Sequence, residues 1–311
     1  MSWIFLAVGA QLINAVVAIV DKYIVSDTKH MPRPFVYAFY TCLLSGSWIF
    51  IFALGFFPFS IGGIEMPTFK NIQSPTLEVV SLAFLAAYTF FMALVSMFSA
   101  LQKADASDVV PVIGAVSAMA SFGIGYMLLD VALAPNFIWG IVLLATGTFL
   151  ASRLRFPWRV AMHTFHSGLF FALHYTALKG LFNITSFDDG FFWSRIAFVI
   201  FALSLLLVPS YYEKIREQTS ATNRSTGLLV LANKVLAGIG TLLILKATDL
   251  GDVAVVQALG GLQFVFILVI GIFLGRWIPI SCGEEGCRDN RVIQKVIFVS
   301  IIALGFLILF R

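Results

Sequence analysis

Charge is scarce in this chain: Asp, Glu, Lys and Arg make up only 12% of its 311 residues, as 20 basic and 16 acidic side chains. A soluble domain carries roughly 25% charged residues, and here the deficit is matched by an apolar fraction of 60% and a mean hydropathy of +0.96. Those values exclude a water-soluble globular protein and point to an integral membrane protein. Cysteine is scarce too, with three in all. Cys42 lies alone in an apolar run, and Cys282 and Cys287 bracket a short CGEEGC loop; two thiols do not complete a tetrahedral zinc site, so no metal or other cofactor is expected. A short signal peptide is missing, because the first apolar run, Trp3 to Val25, has no basic n-region or small-residue cleavage site and is long enough to span. No glycine-rich phosphate loop occurs, which argues against direct ATP drive.

What is present is a succession of apolar runs. A window of about 20 residues predicts ten spans, near 3–25, 35–57, 77–101, 107–129, 135–152, 160–182, 190–210, 226–247, 252–275 and 292–310. Nine of the ten prolines fall in or beside the intervening connections, where a missing N–H costs least; Pro111 alone lies inside a span, near its first turn. The connections are short, so no soluble domain is expected, and the longest irregular stretches are 58–76, 211–225 and 276–291.

Basic residues bias a loop toward the cytoplasm. With the N-terminus outside, the inner connections hold Lys22, Lys29, Arg33 and Lys103, the cluster Arg153, Arg155 and Arg159, and most basic residues of the later loops. The outer side holds only Lys70, Lys179, Arg195, Lys246 and Arg311. This predicts both termini outside, and it explains the small positive net charge without nucleic acid as a partner.

One segment occurs twice. KADASDVVPVIGAV, from Lys103 to Val116, returns as KATDLGDVAVVQALGG, from Lys246 to Gly261. In each, an apolar run ends in Lys-Ala, small and acidic residues follow, and a new run opens after Asp-Val, at Asp108 and Asp252. The acids Asp105, Asp108, Asp249 and Asp252 are expected to cap helix N-termini. Five spans per half is an odd number, so the second half, 156–311, is predicted to sit upside down relative to the first, 1–155.

The two segments, extended as ALQKADASDVVPVIGAVSAM (Ala100 to Met119) and LKATDLGDVAVVQALGGLQFVF (Leu245 to Phe266), together with the ten-span layout, make the chain resemble the drug/metabolite transporter superfamily, in its EamA-like branch. The resemblance implies an all-α membrane fold of two inverted five-helix repeats and transport of small solutes. It departs from the family at Asp130 and Arg276, where Gly-Glu is common, and at Val255, which stands where the first copy has Pro111. LANKVLAG, Leu231 to Gly238, has an Asn-Lys like that of nucleotide-sugar transporters, but one span too early.

Ionisable and polar groups inside spans mark the candidate site, since a mid-bilayer charge costs ~2.5–3.5 kcal/mol or more and must face a cavity or a partner. Lys234 is such a group, with Ala237, Gly238 and Thr241 on its face; it is read as an anion anchor, or else as paired with an acid or snorkelling to the surface. Gln11, Asn14, Ala18 and Asp21 share one face of the first span. That stripe predicts cavity lining or an interhelical seam, with Asp21 as a coupling site for a proton or cation, or else interfacial. The sixth span carries His163, His166 and His174; a metal site lacks a third ligand, whereas His174 and Tyr175 are mid-membrane candidates for a cavity. Arg195 is expected to form an interfacial salt bridge with the preceding Asp188-Asp189 in preference to a substrate contact. Glycine-rich runs in the fourth and ninth spans suit close helix packing, and Gln257 and Tyr88 offer polar tips to an otherwise apolar pocket.

The expected function is secondary transport of a small polar metabolite through a central cavity, with Asn14, Tyr88, His174, Tyr175, Lys234 and Gln257 binding solute and Asp21 coupling. The expected setting is a bacterial or archaeal plasma membrane. The partners are the small-molecule substrate, the lipid bilayer and, as an open alternative, a second copy in a homodimer. Another reading is an intramembrane enzyme or lipid-handling protein built on the histidines and Asp21; no compact acid/base constellation can be assembled for it. A sensor lacks any soluble effector domain.

Overall fold

The computed structural model describes residues 2–26, 31, 33–56, 60–61, 64–65, 67–128, 138–140, 142–143, 146 and 157–274. These residues are helical apart from connections and a two-residue antiparallel ladder, Ser60–Ile61 against Ile64–Glu65. The helices are α1 (Ser2–Ser26), α2 (Pro34–Gly46), α3 (Leu77–Leu101), α4 (Ala106–Leu128), α5 (Trp158–Ile184), α6 (Phe187–Leu205), α7 (Pro209–Ala221), α8 (Arg224–Leu250), α9 (Val253–Ala258) and α10 (Gly261–Leu274). Five stretches among them are long and apolar enough to cross a membrane: Trp3–Ser26, Pro34–Ala53, Leu77–Leu101, Ala106–Gly125 and Arg224–Leu250. The chain is a multi-pass, all-helical integral membrane protein. The tenth expected span and the Cys282–Cys287 loop lie outside the described residues, as do Asp130, Arg276 and all but helical fragments of the fifth span.

Three expected spans are not single α-helices. The second runs as α2 to Gly46 and continues as a 3₁₀ helix, Ser47–Phe56. Ser47 turns its hydroxyl back onto the Leu44 carbonyl, a local bond that competes with the helix ladder. The seventh ends at Leu205; Pro209 then starts α7, bent 97° from α6, over part of the stretch expected to be irregular. Proline cannot donate in a helix interior but suits the first turn of a new helix. The ninth is broken at Leu259–Gly260 into α9 and α10.

Helix starts follow side-chain chemistry. Thr76 accepts from the Val79 N–H, Ser186 from Asp189, and Asp252 from both Ala254 and Val255. Of the four acids expected to cap, Asp249 instead pairs with Lys246 at 3.0 Å, and Asp108 sits inside the first turn of α4, where a negative charge still meets the positive end of the helix dipole.

The most extensive contact is α3 with α5, followed equally by α1 with α8 and α4 with α5; α4 also meets α9, and α2 meets α3 and α6. Small residues permit the approaches. Gly46 lies against Val199 and the Arg195 carbonyl, Gly114 against Gly260, Gly168 against Val116, and Gly238 against the Trp48 indole. On α8 the exposed Leu228, Leu231, Val235 and Ile239 form an outward apolar stripe, while Asn233, Lys234 and Gly238 are buried inside.

The helix ends fix depth within the bundle. Trp3, at the start of α1, touches Gly251, just past the end of α8, and Lys246 lies 4.2 Å over the Phe187 ring at the start of α6. At the other end of α1, the Lys22 ammonium donates to the carbonyls of Leu101 and Ala104, at the end of α3. The two copies of the Lys-Ala segment therefore lie at opposite ends of the bundle.

Candidate functional site

A cavity of about 160 Å³ opens in the middle of the bundle. The polar stripe of α1 faces it with Gln11, Asn14 and Asp21, and α8 faces it with Lys234, Ala237 and Thr241. Thr41 and Ser45 come from α2, Tyr175 from α5 and Gln263 from α10. Apolar walls are supplied by Phe90, Leu94, Val110, Ile113 and Phe171, among others. A mostly apolar cavity with a few convergent polar groups is the usual form of a small-molecule site.

One wall holds a buried ion pair. The Lys234 ammonium donates to Asp21 Oδ1 at 2.7 Å, and both side chains are 4% exposed. The same oxygen accepts from Asn233 Nδ2 at 2.7 Å and from the Tyr37 hydroxyl. Lys234 also sits over the rings of Tyr37 and Phe98, 4.4 and 5.3 Å from their centroids. Three donors and two aromatic faces thus replace the water that this pair gives up on burial. Of the two sequence readings of Lys234, the structure shows pairing with an acid. Asp21 is buried in the pair.

Other cavity groups are uncommitted. The side chains of Gln11 and Asn14, the hydroxyls of Ser45 and Thr241, and the Tyr175 phenol make no hydrogen bond to another described residue. Asn14 contributes its backbone carbonyl to Gln263 Nε2 at 2.8 Å, and its carboxamide lies against Gly240, where any Cβ would collide with it. In a membrane interior, hydrogen-bonding groups without protein partners are costly, and five of them around one space make that space polar where the walls are not.

The remaining predicted residues sit elsewhere. His174 is buried behind the Phe90 wall, with Nδ1 2.8 Å from the Ala86 carbonyl and its ring 4.9 Å from both Phe90 and Tyr175. Gln257 lies on α9 beside the Gly114–Gly260 contact; its Oε1 accepts from Ser117 Oγ at 3.2 Å, and its Nε2 has no partner. Tyr88 is exposed on the outer face of α3, edge-on to Phe170 and Phe201. Among the described residues, no group of three His, Cys, Asp or Glu side chains could hold a metal ion.

Arg195 departs most from its sequence reading. It makes no ion pair with Asp188 or Asp189, which instead receive the Thr68 and Gln73 backbone N–H groups and the Trp193 indole. Seven residues along a helix is roughly 10 Å, so Asp188 is too far down α6 to reach it. Arg195 is 1% exposed, sandwiched between Phe191 and Phe198, with Nη1 3.3 Å from the Ser45 carbonyl.

No family model matches this chain, and no curated protein matches it. Solved structures do. One crystal structure, described only as that of a protein, aligns with a TM-score of 0.64 over 99% of this chain and 96% of its own, at 16% identity. A likeness at that identity concerns the arrangement of helices alone.

Proposed function

We propose that this protein is a secondary transporter of a small polar metabolite, of the EamA-like drug/metabolite type, with ten spans in two inverted halves, 1–155 and 156–311. Both termini face outward from a bacterial or archaeal plasma membrane. Solute binds in the central cavity and is exposed to the two sides in turn as one half rocks against the other. Gln11, Asn14, Tyr175 and Lys234 face the solute and Gln257 borders it, while His174 holds the Tyr175 ring from behind. Asp21 couples, because releasing Lys234 or taking a proton changes the charge on the cavity wall. Tyr88, facing outward, is assigned no contact.

The observation that carries this reading is the buried Asp21–Lys234 pair on the wall of a cavity lined by uncommitted polar groups. A pair placed only for stability would be replaceable by apolar packing; one that borders a cavity is in a position to be exchanged for solute or proton.

The inverted arrangement draws support from a second lysine cap. Lys22 of α1 holds the end of α3, and Lys179 of α5 holds the end of α8 through the carbonyls of Thr248, Asp249 and Gly251. These are the first and third helices of each proposed half, exchanged. The contacts of α3 with α5 and of α1 with α8 are related by the same exchange.

Proteoliposome counterflow with a metabolite panel tests the proposal. Saturable exchange by the wild type, lost in Lys234→Ala and in Asn14→Ala, is the expected result. Wild-type exchange in both variants overturns the assignment of the site, and no exchange of any solute by the wild type overturns transport.

A further inference from the structure

Arg195 is a buried cation for which the transport proposal has not yet supplied a role. Its Nε and Nη2 have no hydrogen-bond partner, and among the described residues no carboxylate pairs with it. It lies one residue behind the cavity wall. Ser45, whose carbonyl receives Nη1, lines the cavity; so does Phe90, whose ring stacks at 5.0 Å on Phe198, the ring that carries the guanidinium. Tyr175, another lining residue, is within electrostatic reach.

Among the described residues, charge around the cavity does not balance. Asp21 and Lys234 cancel within their own hydrogen-bonded pair, which leaves one positive charge among these residues, that of Arg195. An isolated charge in a low-dielectric interior is strongly unfavourable, and two cation–π contacts offset only part of that. Nε and Nη2 share one edge of the planar guanidinium, the edge that grips a carboxylate side-on through two parallel N–H···O bonds. The charge count also selects among oxyanions: a phosphate monoester brings about −1.5 to −2 at neutral pH, more than this site neutralises, whereas a carboxylate brings one.

The two charged features differ in depth. Arg195 is eight positions from the start of α6, roughly 12 Å along the axis, whereas Lys234 is sixteen positions from the end of α8 that shares that surface, roughly 24 Å. A solute in the cavity therefore has a cationic pole toward one membrane surface and the neutral Asp21–Lys234 pair toward the other.

We propose that the transported solute is a small organic monocarboxylate whose carboxylate docks on the buried Nε/Nη2 edge of Arg195, reached from the cavity when the Ser45 and Tyr175 side chains that line it move aside. This rests on the transport reading of the cavity. It makes Arg195 the solute anchor and leaves the Asp21–Lys234 pair for coupling.

The test uses the full-length protein in nanodiscs and in proteoliposomes, with matched probes: lactate against lactamide, and benzoate against benzamide. Carboxylates are expected to raise the unfolding temperature and amides to leave it unchanged. In Arg195→Gln the carboxylate shift should need at least tenfold more ligand, while the unliganded variant unfolds at or above the wild-type temperature, because a buried unpaired charge has been removed. Arg195→Lys should retain the fold and show an intermediate shift, since an ammonium keeps the charge and loses the fork. A merely structural arginine would behave in the opposite way, with Arg195→Gln less stable and carboxylate shifts unaltered. Equal shifts from acid and amide, or larger shifts from glycerol 3-phosphate than from either carboxylate, overturn the proposal. Counterflow separates the two readings: exchange of amides but not acids sinks the anion assignment and leaves transport standing, whereas carboxylate binding without exchange sinks transport alone.

Discussion

Lys234 and Asp21 are close to useless to each other unless both are present. Their shared oxygen also serves Asn233 and Tyr37, so deleting the cation leaves a buried carboxylate with two neutral donors. Lys234→Met is expected to lower stability by about 3–5 kcal/mol, read as unfolding in detergent by denaturant titration. Combined with Asp21→Asn it should recover more than half of that loss, because a neutral pair of similar volume removes the desolvation penalty on both sides; a double variant no better than the single would show that the pair is not the source. The residues of this pair were legible in the sequence, since charge in an apolar run needs a reason. Their partnership was not, because helical periodicity relates neighbours on one helix and these two stand on α1 and α8. Arg195 was read from the sequence as an outer-side, interfacial charge, and the structure buries it. Adjacency to Asp188-Asp189 suggested a salt bridge, but those acids are consumed at the helix start by Gln73 and Thr68 N–H groups.

At the scale of elements, small residues decide how closely helices approach. A Cβ at Gly168 would stand 2.6 Å from Val116 Cβ and 3.0 Å from the Ile113 carbonyl oxygen, both parts of α4 that cannot rotate away. Gly168→Ala should therefore push α5 off α4 and cost about 1–3 kcal/mol. At Gly227, exposed on α8, a Cβ meets nothing within 4 Å, and Gly227→Ala should stay within about 0.5 kcal/mol of wild type or improve on it. Thermal unfolding of the two variants side by side checks the contrast, and equal effects would refute the packing account. The breaks inside expected spans were harder to anticipate. Hydropathy counts apolar residues over a window and is blind to whether the backbone runs straight, so Val253 to Leu274 looked continuous. Gly260, free of a side chain beside Gly114, permits the turn at Leu259–Gly260. The position of Gln257 on the short helix α9, with Nε2 unpartnered near that turn, places an uncommitted donor at a half-helix end.

For the whole molecule, the lysine caps make the proposed inversion testable. Lys22→Met and Lys179→Met each remove charge-assisted bonds to helix-end carbonyls, worth roughly 1.5–3 kcal/mol, and two equivalent halves should lose comparable stability in denaturant titration. Orientation has its own measurement. With the native cysteines replaced, Leu250→Cys should react with a membrane-impermeant thiol reagent in intact cells, and Ala104→Cys only after the membrane is opened. Reversed accessibility would invert the topology, and equal accessibility from outside would contradict the placement of the two Lys-Ala turns at opposite ends of α1.

The membrane class, the apolar runs that form α1, α3, α4 and α8, and the polar faces of α1 and α8 were determined by the sequence itself, because each is a local property: the bilayer demands apolar runs of a set length, and the helical period puts Gln11, Asn14 and Asp21 on one side. The repeated Lys-Ala/Asp-Val segment was likewise visible in the sequence, and it is the basis of the proposed register of the two halves. Only the tertiary structure decided which charges meet. Coulomb energy falls with distance in space, not along the chain, so the pairing of Lys234 with Asp21 and the burial of Arg195 without an acidic partner among the described residues arise from helices brought together by packing. That difference separates a list of intramembrane polar residues from a cavity with one balanced pair on its wall and, among the described residues, one unpaired cation behind it.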